Sequence, residues 1–241
     1  MMSRVLLILP CLNEEEGLPL VLGALPEVEG GLRVVVVDNG STDQSANVAR
    51  DHGATVVTEA ERGYGAACLR GMAEYQDEEI IAFVDADGSD FAEELRDILV
   101  PLDEGRADLV IGSRMRLPES RKALLPQSRH GNRLAAFLLR NLFGLRDCTD
   151  LGPFRAMRAV ALLELGMRDR NYGWTVEMQA RAALAKLRVV EVAVRYRERR
   201  GVSKITGTFR GTVGASWKIL WTIFRLRMTL RATAHSSLKK S

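Results

Sequence analysis

The chain has 241 residues, 46% of them apolar and 6% aromatic, which suits one large or one and a half ordinary domains with a packed core and excludes a low-complexity chain. Three cysteines, Cys11, Cys68 and Cys148, and three histidines lie at no metal or redox spacing, which points to a reducing compartment and against a zinc site. The net charge of +3 is uneven: from Arg188 onward the balance is +11 and before it −8, so the tail is the part suited to phosphates, an anionic membrane face or nucleic acid.

Taken in order, the chain alternates. Apolar runs predict strands over residues 5–9, 33–37, 55–58, 80–84 and 109–111. Between them, helical spacing predicts helices over residues 14–25, opened by Asn13, over about 42–52, capped by Ser41 or Thr42 and closed by Gly53, and over 65–75 and 91–102. This βα repetition implies an α/β fold with a mainly parallel sheet covered by helices on both faces. No basic, small-residue leader opens the chain, so no secretory signal is expected.

Past Gly112 the regularity weakens. Residues 118–126 read as a polar, proline-bounded flap, followed by helices over 132–143, 159–165 and 175–187 and a strand over 188–196. Ile219, Leu220, Ile223, Leu226 and Leu230 recur at helical spacing among Lys218, Arg225 and Arg231. A segment so interrupted by charge does not span a bilayer. Two readings stay open for it: a helix lying on an anionic membrane with Trp217, Trp221 and Phe224 at the interface, or a helix packed on the protein's own body. Nucleic acid is not expected, since no recognisable nucleic-acid module accompanies the basic tail. The division expected is residues 1–206 and a basic helical tail, 207–241.

Chemistry concentrates where strands end. The run Ile80-Ile81-Ala82-Phe83-Val84 stops in Asp85-Ala86-Asp87-Gly88-Ser89. Carboxylates at the end of a buried strand sit where open α/β sheets bind ligands, and a close pair calls for a cation between them. The first turn, Pro10-Cys11-Leu12-Asn13-Glu14, lacks the glycine fingerprint of a dinucleotide site, which argues against a nicotinamide or flavin enzyme.

These motifs, with Val37-Asp38-Asn39-Gly40-Ser41-Thr42-Asp43, Arg62-Gly63-Tyr64-Gly65-Ala66-Ala67 and Gly112-Ser113-Arg114, resemble family 2 glycosyltransferases. Asp150-Leu151-Gly152-Pro153-Phe154-Arg155 and Gly201-Val202-Ser203-Lys204 are similar to its dolichyl- and polyprenyl-phosphate hexosyltransferase branch. The resemblance implies a GT-A fold and an inverting, Mg²⁺- or Mn²⁺-assisted transfer of a hexose from a UDP- or GDP-sugar to a polyprenyl phosphate, on the cytoplasmic side of a membrane. It implies that Pro10, Leu12, Asn13, Glu14 and Asp38 line the nucleoside pocket, with Asp85 and Ala86 against ribose and diphosphate. By the same resemblance Asp87 holds the metal with Asp85 and Ser89, and Arg114, Arg199 and Lys204 clamp phosphates. Asp150 is expected nearest the acceptor, as a base toward a hydroxyl or as an orienting group beside a phosphate. Trp174 and Glu177 are expected to close that pocket.

Three positions depart from the family pattern. Asn39 replaces a second acid, Ser89 stands where glutamine often meets the metal, and Arg199-Arg200-Gly201 is one residue short of Arg-x-x-Gly. The alternatives are a soluble or cell-envelope hydroxyl acceptor, or a non-catalytic nucleotide-sugar binder.

Overall fold

A computed structural model of the protein describes residues 3–198 and 220–228. Seven strands make one sheet: β1 (Val5–Cys11), β2 (Leu32–Asp38), β3 (Thr55–Thr58), β4 (Ile80–Phe83), β5 (Leu109–Ser113), β6 (Arg155–Arg158) and β7 (Val189–Ala193), in the order β3-β2-β1-β4-β6-β5-β7. All neighbours are parallel except β6, which runs antiparallel to both β4 and β5.

β1 shows why the sheet is buried on both faces. Val5, Leu7, Leu9 and Cys11 point into one apolar layer, and Leu6 and Ile8 into the other, following the two-residue period of a strand. Leu6 to Leu9 are fully buried, each worth roughly 1.5–3 kcal/mol relative to exposure. The first layer is closed by α1 (Leu18–Leu22), α2 (Ser45–Asp51) and α4 (Leu95–Asp103). The second is closed by α3 (Tyr64–Met72), α7 (Ala159–Glu164) and α8 (Trp174–Leu184). α8 is apolar on two sides: Trp174, Met178 and Ala182 meet the sheet, while Val176 and Ala180 meet α6 (Pro126–Phe143).

Register fixes where chemistry can occur. Cys11 lies opposite Asp38, and Ile8 opposite Phe83, so the turns after β1, β2 and β4 leave the same edge of the sheet. Arg155 lies opposite both Phe83 and Ile111. Because β6 runs backwards, its lead-in, residues 147–154, arrives at that edge too.

Several expectations need correction. The first helix is short and begins after Gly17, not at Asn13, whose φ is +53° and whose side-chain oxygen accepts from Thr42 N at 2.7 Å. Neither Ser41 nor Thr42 opens α2; Asp43 does more there, its Oδ1 accepting from Ser45 N and Oγ. The flap expected over residues 118–126 is helical: α5 (Pro118–Ala123) leads into α6, each with a proline in its first turn, where the missing N–H has no intrahelical partner to lose. The region expected to be irregular contains β6. A further helix among the described residues, α9, covers residues 220–228 and buries Ile223 and Leu226 against Ala135, Ala136 and Leu139 of α6 and Val176 and Ala180 of α8. Trp217, Lys218 and Leu230 lie outside the described residues, as does most of the division at 207–241.

Candidate active site

A cleft of about 300 Å³ opens at the common strand edge. Pro10, Leu12 and Glu14 form one wall, Asp85, Ala86 and Asp87 the floor, and Asn39, Arg62, Gly63 and Tyr64 a second wall, with Asn171 and Tyr172 completing it. Of the residues expected to bind the nucleotide, five line the cleft, Pro10, Leu12, Glu14, Asp85 and Ala86, together with Asp87, expected at the metal. Asn13 and Asp38 do not; they brace it. Asn13 N donates to Ser41 Oγ at 2.9 Å, and Asp38 Oδ1 accepts from Ser41 N at 2.8 Å, tying the turn after β1 to the turn after β2. Arg199 and Lys204 lie outside the described residues.

Asp87 is nearly buried, and its Oδ1 accepts from Ser89 N at 2.9 Å and Ser89 Oγ at 2.5 Å. Ser89 is itself buried behind Asp87 and outside the cleft lining, so its hydroxyl serves to aim the carboxylate. Behind the same loop lies Asp90, which sequence reasoning missed. It is 1% exposed, and neither carboxyl oxygen has a hydrogen-bond partner among the described residues. Burial, then the charge of Asp85, pushes its carboxyl well above the usual carboxylate range.

Two arginines face this acid cluster. Arg114 donates through N and Nε to Asp150 Oδ2 at 2.7 and 3.0 Å, and through Nη2 to Oδ1 at 2.9 Å. Asn132 Nδ2 adds a bond to Oδ1 at 2.5 Å, so Asp150, fully buried, is bonded at both oxygens. Burial opposes ionisation of this carboxyl, but Arg114 and Asn132 together hold it below the usual range. Tyr196 lies under the Arg114 guanidinium, 5.1 Å from its ring centre. Arg155 is fully buried and bonds backbone oxygens, accepting carbonyls being Gly152, Leu151 and Thr175; burial lowers its pKa to about 10. In the cleft lining itself Glu14, Asp85 and Asp87 stand against one arginine, Arg62, which leaves an acid excess there.

That excess fits a divalent cation. Among the described residues no three carboxylate, histidine or cysteine side chains are arranged to hold a metal unaided. A magnesium-type site made of one or two carboxylates and the ligand's own phosphates needs no such trio.

The walls explain other sequence features. Asn39 donates through Nδ2 to the carbonyls of Glu59 and Glu61 at 3.0 and 2.7 Å, and its Oδ1 accepts from Gly63 N at 2.8 Å. An aspartate could not donate to two carbonyls, so the amide holds the wall together. Gly63 and Gly65 admit the carbonyls of Arg170 and Asp169, which a Cβ would approach to 2.1 and 2.0 Å. Trp174 and Glu177, expected to close the acceptor pocket, do not line this cleft. Trp174 is core, edge-on to Phe83 with ring centres 6.0 Å apart. Glu177 Oε2 accepts from Arg168 N and Asp169 N at 3.0 and 2.6 Å, so it shapes the loop that carries Asn171 and Tyr172.

A mainly parallel sheet with an Asp-x-Asp strand end beneath a nucleotide-sized cleft agrees with the GT-A fold that the motifs imply. The profile described as Glycosyl transferase family 2 matches residues 6–166, and the chain belongs to that family. It is 43% identical over 222 residues to an uncharacterized glycosyltransferase of Mycobacterium tuberculosis, covering 90% of this chain and 98% of the relative. It is 34% identical over 224 residues to the undecaprenyl-phosphate mannosyltransferase of Micrococcus luteus, covering 88% and 90%. Among solved structures, the glucosyl-3-phosphoglycerate synthase of Mycobacterium tuberculosis in complex with Mn²⁺, UDP and phosphoglyceric acid shares the fold, with a TM-score of 0.76 and 21% identity over 93% of this chain and 78% of that one.

Proposed function

We propose that the protein transfers a hexose, with inversion, from a nucleoside-diphosphate sugar to a polyprenyl phosphate at a membrane surface. The observation that carries this is the Arg114–Asp150 pair beside the Asp85–Asp87 floor: a buried carboxylate spent on aiming a cation. A carboxylate held below its ordinary range is a poor base, which disfavours a hydroxyl acceptor needing proton removal. A phosphate acceptor is already an anion and needs a fixed cation instead. Arg114 Nη1 lies outside the pair with Asp150, and the Tyr196 ring and Asp150 hold the guanidinium plane in place.

In this reading an acceptor phosphate oxygen forms a bond to the anomeric carbon as the bond from that carbon to the leaving diphosphate breaks. Asp87, aimed by Ser89, and Asp85 would hold Mg²⁺ or Mn²⁺, which when bound supplies positive charge to the leaving diphosphate. Asp150 then acts as a positioning residue, and Pro10, Leu12, Glu14 and Arg62 hold the nucleoside.

The donor and the metal are tested together by thermal melts with UDP-, GDP- and dTDP-sugars, each with and without Mn²⁺. Binding to the folded state raises the melting temperature by mass action, by about 2.7 kcal/mol of stability at a hundredfold excess over Kd. One metal-dependent shift is expected; no shift with any nucleotide removes the reading.

The membrane element has its own support. No helix among the described residues is long and apolar enough to cross a membrane. α9 packs Ile223 and Leu226 inward yet exposes Trp221, Phe224 and Met228, each over half exposed, beside Arg225 and Arg227; α6 exposes Leu134 and Phe137. Apolar side chains among arginines suit an anionic interface. Because α9 also closes the α6–α8 seam, deleting it would damage the body, and point changes are the sound test. Trp221→Glu with Phe224→Glu should abolish flotation with anionic vesicles while the melting temperature holds; equal flotation of variant and wild type would refute membrane docking through α9.

A further inference from the structure

The loop that delivers Asp150 is gripped by an acid from β7, a strand that lines none of the nucleotide cleft. β7 reads Val189-Val190-Glu191-Val192-Ala193, and its alternation sends Val190 and Val192 into the first apolar layer and Val189 toward the second. Glu191 shares the face of Val189. Its side chain is 2% exposed, and a carboxylate so placed is tolerable only where donors surround it. Most of them come from one short segment. Oε1 accepts from Thr149 N at 2.6 Å and from Asp150 N at 3.1 Å; Oε2 accepts from Thr149 Oγ1 at 2.5 Å and from Arg116 Nε at 3.2 Å. Ser113 Oγ, 2.7 Å from Thr149 Oγ1, links the same residue to the end of β5. Other bonds hold neighbouring atoms of the loop: Gln179 Nε2 donates to Asp150 O at 3.0 Å, Leu151 N to Asn132 Oδ1 at 2.9 Å, and Arg140 Nη1 to Cys148 O at 2.7 Å. Among the described residues, only Glu191 accepts from the amides of Thr149 and Asp150.

We propose that Glu191 is a positioning residue for transfer: it fixes the backbone at Thr149 and Asp150, and through Asp150 it sets the direction of Arg114. One carboxylate oxygen holds two consecutive amides, which leaves the Asp150 backbone little freedom to turn. Asp150 Oδ2 in turn accepts from both N and Nε of Arg114, so a shift of the Asp150 backbone moves the guanidinium with it. The proposal rests on the reading of Arg114 as the cation that meets the acceptor phosphate. Because Glu191 stands apart from the nucleotide cleft, its loss should be felt in transfer and not in donor binding.

Donor affinity and stoichiometry are read by calorimetry with Mn²⁺ and GDP-mannose or UDP-glucose, and transfer with the same donors and undecaprenyl phosphate. Stoichiometry counts folded protein, so kcat is stated per competent site. Glu191→Ala should bind donor as wild type does and lose about 10- to 100-fold in kcat. Glu191→Gln keeps an acceptor for both amides, turns its NH₂ toward the Thr149 hydroxyl, and should return transfer to within about threefold of wild type. A Gln variant as slow as the Ala variant overturns the proposal. In an Asp150→Asn background, Glu191→Ala should lower transfer by less than about threefold, because it acts through a group already changed. An equal loss of about tenfold or more in both backgrounds overturns the proposal and marks a general structural effect. Transfer by Glu191→Ala within about twofold of wild type also overturns it, and a slow Asp150→Asn would then leave the reading of the Arg114–Asp150 pair standing. If Glu191→Ala binds donor at reduced stoichiometry, Glu191→Asp, whose carboxylate stops one methylene short, takes its place under the same expectations; reduced binding by both overturns the proposal. No transfer by wild type, or full transfer by Asp150→Asn, removes that reading and this one together.

Discussion

Asp87→Ala should leave a folded protein that no longer binds nucleotide in a metal-dependent way. The loop is anchored by more than this carboxylate and its two bonds to Ser89. Gly17, at the start of α1, packs so closely on it that a Cβ there would stand 2.5 Å from Ala86 O and 2.7 Å from Asp87 Cα. Val84 N donates to Ile8 O at 3.2 Å, anchoring the strand end from the other side. What the carboxylate adds is charge, in a neighbourhood that already holds Asp85 and the buried Asp90. Removing it relieves like-charge repulsion but leaves the buried Ser89 N and Oγ without their acceptor, so the melting temperature without metal should change little. Calorimetry with Mn²⁺ and UDP or GDP should show affinity reduced by more than about 100-fold, the loss of a metal contact worth several kcal/mol, and transfer reduced by about 1000-fold. An unchanged titration would remove Asp87 from the metal site. Ser89→Ala should show the same effect in weaker form, since it frees the orientation of the carboxylate and leaves its charge.

The halves of the chain differ in how openly the sequence shows them. The first five strands are legible because Val5–Cys11 and Ile80–Phe83 are continuous apolar runs buried on both faces, and the following acids or turns mark their ends. β6 is hidden because Arg155-Ala156-Met157-Arg158 carries an arginine at each end of four residues. Only the buried carbonyls around Arg155 make a strand start there tolerable. α5 and the start of α6 were obscured by Pro118 and Pro126, which read as breakers and act as first-turn residues.

Within the site, motif residues and working residues coincide only in part. Pro10, Leu12, Glu14, Asp85, Ala86 and Asp87 come together as expected from their places at strand ends. Asn13, Asp38, Ser89 and Asn39 carry the same sequence signature but spend their polar atoms on backbone and on one another. Polar residues in adjacent turns look alike in sequence whether they face a ligand or face each other. Asn171 and Tyr172 could not be found at all by motif, because their approach depends on Gly63 and Gly65 meeting a loop about 100 residues away. The glycines were the signal; their partner was protein backbone.

Asp150→Asn should separate binding from transfer. Asp150 does not line the nucleotide cleft, so donor affinity with Mn²⁺ should match wild type. An amide in its place turns a donor toward either Asn132 Nδ2 or the Arg114 guanidinium, and it leaves a half-buried cation without its counter-charge. Breaking such a pair costs about 3–5 kcal/mol, visible as a lower melting temperature. Arg114 then loses its fixed direction, and transfer to a polyprenyl phosphate should fall by about 100-fold or more, chiefly through kcat because the defect lies in alignment at the reacting phosphate. The pH dependence gives an independent check. Because the folded-state pKa of Asp150 lies below its unfolded value of about 3.9, its contribution is complete above that pH and disappears as the pH falls through the folded value. The stability gap between wild type and Asp150→Asn should therefore be constant from neutral pH down to about pH 5 and close in stronger acid. A gap that stays open at low pH would mean that the lost stability comes from packing around residue 150, and Arg114 would then need another source for its orientation.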